Sequence, residues 1–342
     1  MRLIKALLVV IALFAISAAL FIAYALNVYK PVPVDPAWEM PSLSTSAPPE
    51  NALTVRFTGT STLLFSDGTT AWMVDGWFSR PGVMTLARGK IGPDLDAITA
   101  GLAANDVTSL AAVIPMHSHY DHAMDSPEVA RRTGAILMGS ESTANIGRGW
   151  GLPEAQIQVF ENRTAVNVGD FVITPIESQH FQFADPAVRK QALGDPAITE
   201  PLVPPVPIFG YKLGKAYVLH VQHPKGNFVV VGSAGYVEGS LQGLQADTIF
   251  LGIGGIGSQT EAYRQAYWHE TVKATGAQRV IPIHYDSLTA PIEGPFKGPV
   301  MVMAFLSAGV ENTLPFLQSK ERENPQLIFK TLPRYNEVVL YP

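Results

Sequence analysis

Apolar residues along the chain fall into three patterns. The first is one long run. Residues 6–29 carry no charge, and Asn27 is their only strongly polar side chain. About 20 apolar residues suffice to cross a bilayer as a helix. The second pattern is a series of short runs with strand character. Residues 53–57, 62–65 and 70–74 come first, with Ser66, Asp67 and Gly68 as a turn between the last two. Residues 110–116 are almost unbroken apolar, as in a strand buried on both faces. Further strands are predicted at 135–138, 156–160, 165–168, 171–176, 248–251 and 280–283. Residues 217–221 and 227–231 pair as a hairpin around His223. The third pattern is helical. It covers 91–105 with Asp94 near the start, 126–132 with Ser126 as N-cap and Pro127 behind it, and 260–275 stopped by Gly276. A C-terminal helix and a final hairpin over 326–341 close the chain. Strand-rich halves with interspersed helices predict helices covering a sheet sandwich.

The leader and the spacer behind it set the organisation. Arg2 and Lys5 precede the apolar run, which predicts a cytoplasmic N-terminus and an exported remainder. A cleaved signal peptide is the rival reading, with Ala23-Tyr24-Ala25 as its small-x-small site. The run is longer than a usual signal core, which favours an uncleaved anchor over residues 1–29. Residues 30–50 hold Pro31, Pro33, Pro36, Pro41, Pro48 and Pro49 with serines between, an extended spacer. Residues 51–342 form the folded domain. The net charge of -5, with no basic run among aromatics, argues against nucleic acid as a partner. The absence of cysteine excludes disulfides, thiolate metal ligands, a cysteine nucleophile and a lipid-modified cysteine after the leader.

The candidate chemistry sits where the 110–116 strand ends. His117-Ser118-His119-Tyr120-Asp121-His122 packs three imidazoles and a carboxylate into one short loop. Burying them unpaired would be costly, whereas a divalent metal explains all four. Imidazole and carboxylate suit Zn²⁺, with Mn²⁺ and Fe²⁺ as alternatives. Two more of the eight histidines, His180 and His284, lie just past apolar strands. Strand ends sharing one rim would gather all five. The others carry blander expectations: packing for His220, solvent exposure for His223, a structural role for His269. Trp77 and Phe78 line either a substrate mouth or the core, and Tyr120, Tyr236 and Tyr285 flank the motifs. The proline-rich stretch 181–207 has the length of a lid or binding segment. Gly252-Ile253-Gly254-Gly255-Ile256-Gly257 has the wrong spacing for a dinucleotide fingerprint and is expected as a tight loop near the metal edge.

The six-residue motif resembles the H-x-H-x-D-H signature of the metallo-β-lactamase fold superfamily. Phe57-Thr58-Gly59-Thr60-Ser61-Thr62 with Val74-Asp75, then Gln179-His180, then Ile281-Pro282-Ile283-His284-Tyr285-Asp286 look like its other landmarks in order. Within it, the branch holding ascorbate-phosphate lactonase-like proteins and N-acyl phosphatidylethanolamine phospholipase D is the most similar. The resemblance implies an αββα sandwich of two mixed sheets with helices outside. It implies one metal on His117, His119 and His180, and a second on Asp121, His122 and His284. Asp75 would orient a ligand histidine. The superfamily normally supplies a bridging aspartate, and here Ser233 stands in Val231-Gly232-Ser233-Ala234 where that carboxylate is expected. A hydroxyl is a poor ligand and does not offset the repulsion of two dications. One tight metal, or two with the second labile, is therefore expected. If the second site is empty, Asp121 is the candidate to accept the proton of the attacking water.

The implied activity is hydrolysis of an ester, phosphodiester or lactone by metal-bound hydroxide. A small-molecule or lipid-like substrate at the periplasmic or extracellular face of a membrane follows from the anchor. The alternative is a non-catalytic metal-binding or sensor module with a degenerate second site. A true β-lactam hydrolase is a third reading.

Overall fold

A computed structural model of the chain describes residues 2–28, 35–43, 48–50, 52–289 and 310–342. The spacer at 30–34 and 44–47, and Asn51 as the domain start, lie outside the described residues. The N-terminal run forms helix α1 (Arg2–Val28), in which Ile4–Ala23 is long and apolar enough to cross a membrane and is not buried against the rest.

The strands are β1 (Leu53–Gly59), β2 (Thr62–Ser66), β3 (Ala71–Val74), β4 (Ala112–Ile114), β5 (Ile136–Gly139), β6 (Ile157–Val159), β7 (Val166–Val168), β8 (Phe171–Ser178), β9 (Ala216–Gln222), β10 (Phe228–Val231), β11 (Thr248–Gly252), β12 (Arg279–Ile283), β13 (Ile328–Phe329) and β14 (Val338–Tyr341). They form two seven-stranded sheets, in the orders β14-β1-β2-β3-β4-β5-β6 and β13-β12-β11-β10-β9-β8-β7. Each sheet combines antiparallel neighbours with a run of parallel ones, from β3 to β6 in the first and from β10 to β13 in the second.

The helices are α2 (Val83–Arg88), α3 (Leu95–Ala104), α4 (Tyr120–Ala123), α5 (Ser126–Thr133), α6 (Glu141–Trp150), α7 (Pro186–Leu193), α8 (Glu261–Trp268) and α9 (Thr313–Glu323). Strand alternation explains the layers. Trp72 and Val74 of β3 face the core between the sheets, while Met73 faces α3 and α5 on the outside. Both faces are buried, hence the nearly continuous apolar runs. Between the sheets Phe65 stacks on Trp72 and Phe228 at 4.9 and 4.6 Å. Outside the second sheet Trp268 stacks on Phe329 at 6.0 Å. The result is helix, sheet, sheet, helix, the αββα layout the resemblance implies.

Several expected elements differ. The 91–105 helix begins only at Leu95, capped by Asp94, because Ile91 pairs instead with Val206. Ser126 is the first helical residue of α5, not its cap; its hydroxyl donates to the carbonyls of Asp75 and His122. The 260–275 helix is α8 continued by a π-helical turn (His269–Lys273). The final hairpin is not one: β13 joins the second sheet beside β12, and β14 joins the first beside β1. The stretch 181–207 carries α7, capped by Asp185.

Candidate metal centre

The side chains in question all lie just past strand ends. Asp75 follows β3, His117 follows β4, His180 follows β8, Ser233 follows β10 and His284 follows β12. Parallel strands deliver their C-terminal loops to one edge, where layered α/β folds place ligands. The loop after β4 then splits its own motif. His119 precedes α4 and its carbonyl accepts from the Ala123 N–H, so Asp121 and His122 project from a helical turn while His117 and His119 stand on the extended chain before it.

Two triads result. His117, His119 and His180 each offer one ligand atom, all within 4.8 Å of one another, and Asp121, His122 and His284 do the same. The triads adjoin, with the His117 and His122 rings 3.8 Å apart between centroids.

Hydrogen bonds decide which ring nitrogen carries a lone pair. His119 Nε2 faces the Ala192 carbonyl at 3.3 Å, and His180 Nδ1 faces the Phe181 carbonyl at 2.8 Å. A carbonyl only accepts, so both nitrogens carry the proton, assigned from the partners. His119 Nδ1 and His180 Nε2 are then lone pairs. His119 Nδ1 lies 3.0 Å from His117 Nε2, and the other nitrogen of His117, Nδ1, is buried without a partner. In the second triad His122 Nδ1 donates to Asp75 Oδ2 at 2.8 Å, with Ser61 Oγ at 3.3 Å. Its Nε2 therefore presents a lone pair, 3.2 Å from His284 Nε2 and 3.6 Å from Asp121 Oδ2. His284 Nε2 is 3.4 Å from the same carboxylate oxygen. Asp75 Oδ1 also accepts from the Met116 N–H at 2.8 Å, which ties this carboxylate to the end of β4.

The lone pairs of His119, His180 and His122 thus turn inward, where a cation would accept them. This donor set, nitrogen-rich with one carboxylate and no sulfur, fits a divalent ion such as zinc. The electrostatics of the first triad agree. Burial, followed by the neighbouring His122 and His119 rings, holds His117 well below the ordinary imidazole value. Burial pulls His119 down to about 4 and also lowers His180 well below its usual value. All three are thus neutral ligands near pH 7. Burial pushes the Asp121 carboxyl up, but His122 and His284 outweigh it and keep it ionised. Burial opposes a charge on His122, and Asp75 and Asp121 overcome it and raise its value.

Ser233 lies just past β10, and its buried hydroxyl makes no hydrogen bond. The loop at 252–257 is at the metal edge as expected: a Cβ on Gly254 would stand 2.6 Å from His284 Nδ1, so this close approach needs glycine. Trp77 and Phe78 are fully buried core residues, not a mouth. Tyr120 and Tyr285 are buried as well, while Tyr236 packs on Tyr263. His220 is buried, with Nε2 on the Gln245 carbonyl. His223 is not exposed: only 5% of its side chain is accessible, because it packs on Phe171 and pairs with Asp67. His269 is exposed beside Glu270.

Three supports of the site were given no role in the sequence reading. The Ala192 carbonyl is backbone, and only its position in α7 matters. Ser61 hides in a strand turn. Asp125 is a buried carboxylate that accepts from the N–H groups of Phe78 and Ser79 at 2.7 and 2.6 Å, fixing the chain after Asp75.

No family model matches the sequence. A stretch of 72 residues is 33% identical to a UPF0173 metal-dependent hydrolase from Chloroflexus aurantiacus, covering 21% of this chain and 30% of that protein. The chain thus spans about a third of the length of the curated protein it matches, and the similarity is confined to that stretch. Among solved structures, similarity extends to an isothiocyanate hydrolase from Delia radicum gut bacteria. It is 14% identical with a TM-score of 0.48, covering 85% of this chain and 99% of that one. A metallo hydrolase from Ignicoccus hospitalis is also similar, at 14% identity and a TM-score of 0.45, covering 83% and 96%.

Proposed function

We propose that this chain is a metal-dependent hydrolase acting on an ester, phosphodiester or lactone. One observation carries the reading: the outer nitrogens of His119, His180 and His122 donate to fixed acceptors, which turns their lone pairs inward. His117, His119 and His180 would hold one ion, and Asp121, His122 and His284 a second. A bound zinc ion supplies a Lewis acid and lowers the pKa of water toward neutrality. The chain supplies the rest. Asp75 fixes the His122 tautomer, and the Ala192 and Phe181 carbonyls fix those of His119 and His180. If the second triad is empty, Asp121 would be the group placed to accept the proton of the attacking water. Ser233 brings no charge, so the second triad is the weaker one.

The substrate is small or lipid-like, and nucleic acid is not a partner. The N-terminal helix supports a membrane anchor with the catalytic domain on the periplasmic or extracellular side, or a signal peptide if cleaved. The test is a chelator-stripped protein assayed on nitrophenyl esters, bis-nitrophenyl phosphate and simple lactones. Turnover that vanishes on stripping and returns with zinc supports the reading. Full metal loading with no turnover on any class favours a sensor module instead, which the partnerless Ser233 hydroxyl would then mark.

A further inference from the structure

The second triad has a further support, at the main chain of His284. His284 sits at φ 59, a left-handed conformation that a residue with a side chain keeps only when its surroundings impose it. The constraint begins at the end of β1. The His284 N–H donates to the Thr60 carbonyl at 2.6 Å. The Thr60 N–H donates to Asp286 Oδ1 at 2.6 Å, and Arg80 Nη1 donates to Thr60 Oγ1 at 2.7 Å. Arg80 Nη2 stands 3.6 Å from Asp286 Oδ2, a buried ion pair rather than a hydrogen bond, since this nitrogen has no hydrogen-bond partner. Thr60 is itself left-handed, at φ 55. Side-chain exposure is 5% for Arg80 and 10% for Asp286, so the pair lies inside the protein rather than in the solvated rim. The guanidinium rests 3.9 Å over the Trp77 ring, which is fully buried. Gly59 makes room for the arrangement: a Cβ there would meet Asp286 Oδ2 at 2.6 Å and Arg80 Nη2 at 2.7 Å.

We propose that Arg80 and Asp286, joined through Thr60, form a buried latch that positions His284 toward Asp121 and His122. Asp286 stands two residues from a candidate ligand, yet Oδ1 is taken by a backbone N–H and Oδ2 faces the Arg80 guanidinium at 3.6 Å, an ion pair without a hydrogen bond. It is a positioning residue, not a further ligand. The latch acts on the backbone of His284, whereas Asp75 acts on the ring of His122. The second triad is thus fixed from two sides, at the ring of one histidine and the main chain of the other.

The inference rests on the reading that both triads take up divalent ions. Zinc titration of metal-stripped full-length protein, followed by calorimetry, tests it. His284→Ala identifies which step belongs to the second triad. Asp286→Ala is expected to weaken that step by about 10-fold, the usual effect of losing a supporting contact, and to leave the other step within about twofold. Asp286→Asn keeps an acceptor for the Thr60 N–H and loses the ionic partner of Arg80, so it should fall between wild type and Asp286→Ala. If Asp286→Ala does not fold, Asp286→Asn carries the test with a selective loss of about threefold. Equal weakening of both steps, or an unchanged second step, overturns the latch. A wild type that takes up one equivalent and no second at millimolar zinc overturns it too. A wild type that takes up none sinks the hydrolase reading first.

Discussion

The two triads are made of similar side chains but are held differently. The first, His117, His119 and His180, has neutral donors and leans on two backbone carbonyls. One of these, Ala192, belongs to α7 within the proline-rich insertion. The second, Asp121, His122 and His284, contains its own carboxylate. It leans on buried side chains, Asp75 on one flank and Asp286 with Arg80 on the other. On the proposed reading ligand chemistry favours the first, because three histidines would complete a catalytic zinc site and Ser233 would withhold a bridging charge from the second. Scaffolding favours the second. Even without a bridging carboxylate the second triad would be kept in a tightly determined geometry. Affinity and pre-organisation are therefore separate properties of this edge, and they can be perturbed separately.

The sharpest break between the triads is a pair of substitutions. His117→Ala removes a donor from the site with no charge to spare. It should abolish the tight equivalent of zinc and lower hydrolysis by at least about 10³-fold, since no activated water remains. His284→Ala should remove only the weaker equivalent and cost about 10-fold to 100-fold. Metal analysis beside turnover checks both. Equal losses in the two variants would show that the triads work as one unit.

Next in size is Ser233→Asp. The serine hydroxyl is buried and already without a partner, so the new carboxylate displaces no existing hydrogen bond. The variant should gain roughly one equivalent of zinc, or bind the second at least about 10-fold tighter, under matched metal supply. A wild type that already holds two equally tightly means that Ser233 does not weaken the second triad.

Much of this edge was legible in the sequence because its signals are local. A buried strand ending in histidine is visible wherever it occurs, and it singled out His117, His180 and His284. Strand-rich halves pointed to helices covering a sheet sandwich for the same reason, and the resemblance implied the αββα order of the layers. The rest was hidden by distance along the chain. Thr60 and Asp286 meet across 226 residues, and no spacing rule reaches that far. The 328–329 and 338–341 runs look like a hairpin locally, yet they pair with β12 and β1, because cross-strand partners decide the register. The Ala192 carbonyl carries no residue identity at all.

Acidification separates the triads more gently. Burial lowers His119 to about 4 and lowers His117 and His180 as well, so in the metal-free folded state these rings resist protonation. In the unfolded chain they protonate near about 6.5. Below that value the unfolded state binds more protons than the folded one, so stability falls as pH drops from about 6.5 toward 4. Thermal melts of metal-stripped protein should show this slope. His119→Gln should flatten it in part, while Asp121→Asn should not, because Asp121 is held ionised over this window.

The smallest effect is expected away from the metal edge, and it tests the reasoning used for both triads. Asp67, Asp170 and His223 also bring candidate ligand atoms within 4.8 Å of one another. Their protons are arranged the other way. His223 Nδ1 accepts from the Lys225 N–H at 3.2 Å, so the ring proton sits on Nε2, which faces Asp67 Oδ2 at 3.4 Å. Asp67 Oδ1 is taken by the N–H groups of Thr69 and Thr70 at 2.8 and 2.6 Å. A metal on Nε2 would have to displace that inward proton and leave an imidazolate, whereas His119, His180 and His122 already turn lone pairs inward. The contact is better read as a clip between the β2–β3 turn and the β9–β10 hairpin, one from each sheet. His223→Ala should therefore leave zinc content unchanged and cost about 1 kcal/mol for the lost hydrogen bond, plus part of the packing on Phe171. Loss of a zinc equivalent in this variant would mean that residue type and proximity, rather than the direction of the lone pairs, decide where this chain binds metal.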